Sequence, residues 1–131
     1  MKVTGFSFIR NAIRYDYPVR ESLLSLLPLV DELIVAVGNS EDDTLGLVRN
    51  IDSRKIRILE TQWDDSLREG GRVLALETQK AYEQIEGGDW AFYIQGDEVL
   101  HEQDYPAIRS ALHQWANDSQ TDGLLFDYRH F

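Results

Sequence analysis

The chain has no cysteine among its 131 residues. That absence removes disulfide frameworks, thiolate metal sites and cysteine nucleophiles together, and it fits a reducing compartment. Long apolar runs are missing too: the longest uninterrupted ones, Leu33-Ile34-Val35-Ala36-Val37 and Trp90-Ala91-Phe92-Tyr93-Ile94, fall far short of the ~20 residues a membrane span needs. From Met1-Lys2-Val3-Thr4-Gly5 onward neither a signal peptide nor an integral membrane segment is expected, and the expected location is cytoplasmic. Positive charge is scarce, with 13 Lys and Arg against 23 Asp and Glu and a net charge of −10. Nucleic acid and anionic lipid are therefore poor partners, because the phosphate term in such binding needs clustered cations. A small phosphorylated ligand is still allowed, provided local arginines or a divalent cation counter the field.

What is present suffices for one compact domain spanning 1–131. Hydrophobic residues make up 43%, and three tryptophans, six tyrosines and five phenylalanines argue for a packed core. Val3 to Ile9 reads as a first strand that ends at Arg10-Asn11. Pro18 opens an amphipathic helix with Val19, Leu23, Leu26, Leu27 and Val30 on one face, and Pro28 closes it. Leu33–Val37 predicts a second, buried strand, and Ser40 with Asp43 a capping pair for a short helix carrying Leu45, Val48 and Ile51. Lys55–Leu59 alternates in charge as an edge strand does. A helix follows from about Arg72 to Ile85 with Leu74, Ala81 and Ile85 on one face, then a fourth strand at Trp90–Gln95. Asp104 is the expected cap of a helix from Tyr105 to Trp115, and Leu124–Tyr128 the expected fifth strand. Strand and helix alternate throughout, which predicts an α/β fold with a mostly parallel open sheet and helices on both faces.

The fourth strand carries the most information. Five apolar or aromatic residues in succession predict a strand buried on both faces, in the middle of the sheet. Gly96, Asp97 and Glu98 follow it, at the carboxyl end where open α/β sheets bind ligands. Two familiar α/β domains are excluded. A receiver domain needs an acidic cluster after its first strand, a phosphate-accepting Asp after its third and a Lys after its fifth, where this chain has Arg10-Asn11, Glu60-Thr61 and Arg129. A dinucleotide-binding domain needs a glycine-rich first turn, and residues 10–18 contain no glycine.

Four segments, in order, resemble the nucleotide-binding half of a family 2 glycosyltransferase of the GT-A, Rossmann-like type. They are Phe8-Ile9-Arg10-Asn11, Val37-Gly38-Asn39-Ser40-Glu41-Asp42-Asp43-Thr44, Gly70-Gly71-Arg72-Val73-Leu74-Ala75-Leu76-Glu77 and Tyr93-Ile94-Gln95-Gly96-Asp97-Glu98. The last is similar to the family's metal-binding DXD strand, with Gln95 in place of the first acid; an Asp common after the second strand is replaced by Gly38-Asn39. The resemblance implies a nucleotide-diphosphate sugar donor, an unknown acceptor and inverting transfer. It also implies a sheet in which the first and fourth strands are neighbours, so that Arg10-Asn11 and Gln95-Gly96-Asp97 face each other across a switch point. A catalytic base is expected beyond Phe131, in an acceptor-binding half, so the 131-residue chain alone is expected to be inactive.

On that reading Asp97 holds a divalent cation, manganese or magnesium, with Glu98 as an auxiliary ligand, while Arg10, Asn11, Asn39 and Arg72 contact the nucleotide. Each has a plainer account beside it. Asp97 and Glu98 read as loop acids, Arg10 as a salt-bridge partner, Asn39 as a turn former, Arg72 as a solvated helix-terminal cation, and Asp64-Asp65, which could reach the donor from the third loop, as a solvated acidic loop. His101, His113 and His130 have no metal-ligand spacing. The alternative function is a noncatalytic nucleotide-binding or protein-interaction module. Homodimerisation through an exposed sheet edge or apolar face is allowed.

Overall fold

The computed structural model describes residues 1–67, 71–127 and 129. Gly70 of the glycine pair, Tyr128 of the expected fifth strand, and His130 and Phe131 lie outside the described residues. Four strands, β1 (Val3–Ile9), β2 (Glu32–Gly38), β3 (Ile56–Thr61) and β4 (Trp90–Tyr93), form one sheet in the order β3-β2-β1-β4, and every pairing is parallel. The connecting helices are α1 (Val19–Leu26), α2 (Thr44–Arg49) and α3 (Arg72–Tyr82), and α4 (Tyr105–Trp115) follows β4. Among the described residues no helix is long and apolar enough to cross a membrane.

Alternation along β1 and β2 divides the core between the two faces of the sheet. Leu33, Val35 and Val37 meet Val19, Leu23 and Leu26 of α1, Val48 of α2, and Ile108 and Leu112 of α4. Phe6, Ile34 and Ala36 meet Ala81 of α3 on the opposite face. The expected layering of helices on both faces is thus present. Gly5 makes the α1 layer fit, because a Cβ there would stand 2.9 Å from side-chain carbons of both Leu26 and Leu33.

Five expectations need correction. β4 is an edge strand among the described residues, and only Phe92 of its four residues is buried, because α3 covers β1 and β2 and leaves Tyr93 beside it exposed. The centre of the sheet is β1 and β2. No strand forms over 124–127: Leu125 is fully exposed, while Leu124 packs on the core and Phe126 stacks on Phe92 at 5.5 Å, so this segment adds side chains to the sheet instead of backbone pairing. Leu74 is exposed, since the buried stripe of α3 runs through Glu77 and Ala81. Asp43 alone caps α2, accepting from the Gly46 N–H at 3.1 Å, and Ser40 serves the β1 loop. Asp104 makes no capping bond, because a 3-10 turn over Glu102–Asp104 runs directly into α4, where Pro106 opens the helix.

Candidate functional site

β1 pairs in parallel with β2 on one side and β4 on the other, so the carboxyl ends of the strands lie along one edge of the sheet. Arg10 and Asn11 stand at the end of β1. Asn11 takes the left-handed backbone conformation, φ 52°, which Asn tolerates better than most residues. It is 8% exposed, its N–H donates to Ser40 Oγ at 3.0 Å and its side-chain oxygen accepts from the Glu41 N–H at 2.8 Å. Asn11 therefore locks the β1 loop to the β2 loop.

Asp42 reinforces that lock. Its carboxylate accepts from the N–H groups of Arg14 at 2.7 Å and Thr44 at 3.0 Å and from the Thr44 hydroxyl, while the same hydroxyl accepts from the Ala12 N–H at 2.9 Å. Partial burial opposes ionisation of Asp42, but the hydrogen bonds from Thr44, Arg14 and Ile13 outweigh it and hold the carboxyl below its usual range. A carboxylate whose pKa is depressed on folding stabilises the protein above the unfolded pKa and loses that contribution as pH falls through the folded one. Asp42→Asn should accordingly lower stability at neutral pH and flatten the loss of stability below about pH 4. Urea denaturation at a series of pH values checks this, and parallel curves for the two proteins would contradict it.

Arg10 is held from three directions. Its Nε donates to the Asn39 carbonyl at 2.7 Å, its Nη1 pairs with Asp65 at 3.1 Å, and its guanidinium lies over the Trp63 ring, 5.0 Å from the centroid. Trp63 in turn sits on Gly38, where a Cβ would come within 2.2 Å of the indole nitrogen. The glycine in place of an acid after β2 thus makes room for the indole. Asn39 Oδ1 accepts from the Trp63 N–H at 2.9 Å, so Asn39 orders the β3 loop, and its side chain lines a cleft of about 520 Å³ with Gly38, Ser40, Asp42, Thr61 and Gln62.

On the other side of β1, the turn after β4 is closed twice. The Glu98 N–H donates to the Gln95 carbonyl at 3.0 Å, and Glu98 Oε1 accepts from the Gln95 N–H at 2.8 Å. Ser22 Oγ of α1 donates to the Gln95 carbonyl at 2.9 Å. Gly96 lets the turn pack on α1 and β1, where a Cβ would lie 3.3 Å from Val19 and 3.6 Å from Ile9, the residue before Arg10. Asp97 is exposed at the tip. Burial first, then the charges of Glu98 and Asp97, push the neighbouring Tyr93 phenol above its ordinary value against hydrogen bonds from Thr78 and Gln95, so it stays a neutral donor.

Arg10 and Asn39 are thus in direct contact and Asn11 adjoins them, whereas Asp97 and Glu98 lie in the turn after β4, on the other side of β1 from Asn39. Arg72 is exposed at the start of α3, on the carboxyl-end side of the sheet, with no described contact to the others. Among the described residues no group of three or more Asp, Glu or His side chains is placed to hold a metal. Asp97 is exposed and Glu98 Oε1 is committed to the Gln95 N–H, so the turn offers at most the one or two carboxylates that a cation of the magnesium kind takes. Trp63, Thr61, Glu77 and Lys80 were not legible as part of this site, while Asp65 was legible only, together with Asp64, as an acid that could reach the donor. The one hint was a single large aromatic in an otherwise polar loop, Gln62-Trp63-Asp64-Asp65-Ser66.

No family model matches the chain, and no curated protein matches it. Solved structures do. A structure of S. aureus TarS 1-349 aligns with a TM-score of 0.62 at 19% identity, covering 87% of this chain and 33% of the other. The same fragment in complex with UDP gives 0.62 at 19%, covering 87% and 32%. A further S. aureus TarS structure gives 0.58 at 17%, covering 87% and 20%. The chain therefore spans about a third of the TarS fragment, and what the two share is the fold: a parallel open sheet flanked by helices.

Proposed function

We propose that this chain is the donor-binding half of a metal-dependent, inverting glycosyltransferase of the family 2, GT-A kind, which binds a nucleotide-diphosphate sugar for transfer to an acceptor held elsewhere. One observation carries the reading. The order β3-β2-β1-β4 lines up the cleft at the ends of β2 and β3, the Arg10 guanidinium at the end of β1 and Asp97 after β4 along a single edge. Strands lie about 4.8 Å apart, so that edge spans roughly 14 Å, room for an extended nucleoside diphosphate.

The nucleoside enters the cleft beside Asn39 and Ser40, and the diphosphate crosses Arg10 toward Asp97. Arg10 has five N–H donors, of which Asn39 and Asp65 take two, so a charged fork remains for phosphate oxygens. Asn11 and Asp42 keep the two loops in place, and Arg72 adds positive charge at the start of α3 beside that helix's own dipole. Asp97 would hold the divalent cation, which when bound supplies neutralisation of the departing diphosphate. Glu98 fixes the turn through Gln95 and keeps Asp97 at the tip. The likeness in fold to a TarS structure solved in complex with UDP supports the nucleotide-binding reading, and the absence of cysteine suits a reducing, cytoplasmic setting.

A second reading, a noncatalytic nucleotide-binding module, draws on the first acid being Gln95 and on Glu98 Oε1 being committed to the turn. Calorimetric titration of UDP, with and without manganese, separates the two. The donor-half reading expects binding that manganese strengthens; identical affinity in both conditions favours the module, and no binding in either removes the nucleotide assignment.

A further inference from the structure

Glu77 lies on the sheet-facing stripe of α3 and is completely buried. Burying a carboxylate is unfavourable unless it is paired and hydrogen-bonded, and an apolar residue of similar size would serve packing better. Glu77 meets both conditions through one end of one strand. Its Oε2 accepts from the hydroxyl of Thr61, the last residue of β3, at 2.7 Å, and its Oε1 pairs with Lys80 Nζ at 2.6 Å. The same ammonium donates to the Gln62 carbonyl at 3.3 Å. Two consecutive residues, where β3 becomes a loop, are therefore tied to α3.

That loop carries the groups that hold Arg10. Trp63, next in sequence to Gln62, lies under the guanidinium, and Asp65 pairs with its Nη1. Phe8 flanks the indole at 6.0 Å, Gly38 leaves no room for it to shift inward, and the Trp63 backbone N–H is fixed on Asn39 Oδ1. A displacement at Thr61-Gln62 would thus be passed to Trp63 and Asp65, and from them to the guanidinium. The carboxylate belongs to a helix on the α3 face, yet its bonds end on the loop that decides where Arg10 points.

We propose that Glu77 is a positioning residue for donor binding: through Thr61 and Lys80 it fixes the Gln62–Asp65 loop, which aims the Arg10 guanidinium at the phosphates. This rests on the donor-half reading, in which Arg10 meets the diphosphate. Glu77→Gln keeps the shape and the acceptor for Thr61 but removes the charge that draws Lys80 to Gln62. Thr61→Val removes the hydroxyl from the other side and is the substitute if the Glu77 variant does not fold.

The test is a double-variant cycle. UDP affinity in manganese is measured by calorimetry for wild type, Glu77→Gln, Arg10→Gln and the pair, with thermal melts alongside. The expected result is a roughly three- to tenfold loss for Glu77→Gln, the size of one net hydrogen bond, and no additional loss once Arg10 is Gln. A general structural role would lower affinity equally in both backgrounds, or move the melt and leave affinity unchanged; either result overturns the proposal. Absence of UDP binding by the wild type would remove the donor reading and this inference together, whereas wild-type binding that Glu77→Gln leaves intact removes only the inference.

Discussion

Asp97→Asn should weaken UDP binding in manganese by about tenfold or more, equivalent to roughly 1.4 kcal/mol or more, and bring it to the level the wild type shows without metal. Asparagine keeps the size and one oxygen of the side chain but loses the negative charge, which is what a hard divalent cation selects. Asp97 is exposed and takes part in no described hydrogen bond or ion pair, so the substitution should leave the melting temperature nearly unchanged. Glu98→Gln offers the contrast. Its amide oxygen can still accept from the Gln95 N–H, so the turn survives and the manganese dependence should persist. Calorimetry of both variants, with and without metal, measures this directly. Retention of the full manganese enhancement by Asp97→Asn would remove Asp97 from the site.

The layered parallel sheet was legible because its signals are local and repeated. Val3–Ile9 alternates loosely between apolar and small polar residues, Leu33–Val37 is an apolar run of strand length, and α1 shows its buried stripe at Val19, Leu23 and Leu26. Neighbouring β1 and β4 came from the family resemblance, and the backbone pairing from Val3–Trp90 to Phe6–Tyr93 agrees with it. What failed were inferences from composition to depth. An unbroken apolar run was read as a central strand, yet burial depends on which helix covers the run, and α3 lies over β1 and β2. Leu124–Tyr128 has strand composition, but Leu124 and Phe126 spend their apolar surface on the core while Leu125 faces solvent.

Within the site, the residues readable from sequence were those at strand ends, where topology alone gives position. Arg10, Asn11, Asn39 and Asp97 are of this kind. Their connections were not readable, because these rest on long-range pairs such as Arg10–Asp65 and Thr61–Glu77 that no periodicity encodes. Glu77 shows the difficulty well. A glutamate on a helix is normally placed at the solvent face, and only the three-dimensional pairing with Thr61 and Lys80 explains its place in the core.

Arg10→Gln should have an effect of comparable size to Asp97→Asn but a different signature. The charge-assisted hydrogen bonding to phosphate would be lost, worth at least the about 1.5–3 kcal/mol of a single hydrogen bond to a charged partner, so UDP affinity should fall by at least roughly 10- to 100-fold. Since Arg10 acts on the phosphates without an intervening metal, the loss should be the same with and without manganese, and the ratio between the two conditions should be preserved. Asp97→Asn abolishes that ratio, so the two variants are told apart by the same titration. Stability should also fall, by more than the about 1 kcal/mol of an exposed ion pair, because Arg10, with its side chain 20% exposed, gives up its bond to the Asn39 carbonyl and its place over Trp63 as well as Asp65. Arg10→Lys sharpens the assignment, because an ammonium keeps the charge but cannot span the Asn39 carbonyl, Asp65 and a phosphate in one plane. Partial recovery by Lys would assign the role to charge; failure to recover would assign it to the planar fork; wild-type affinity in Arg10→Gln would move the diphosphate away from the end of β1.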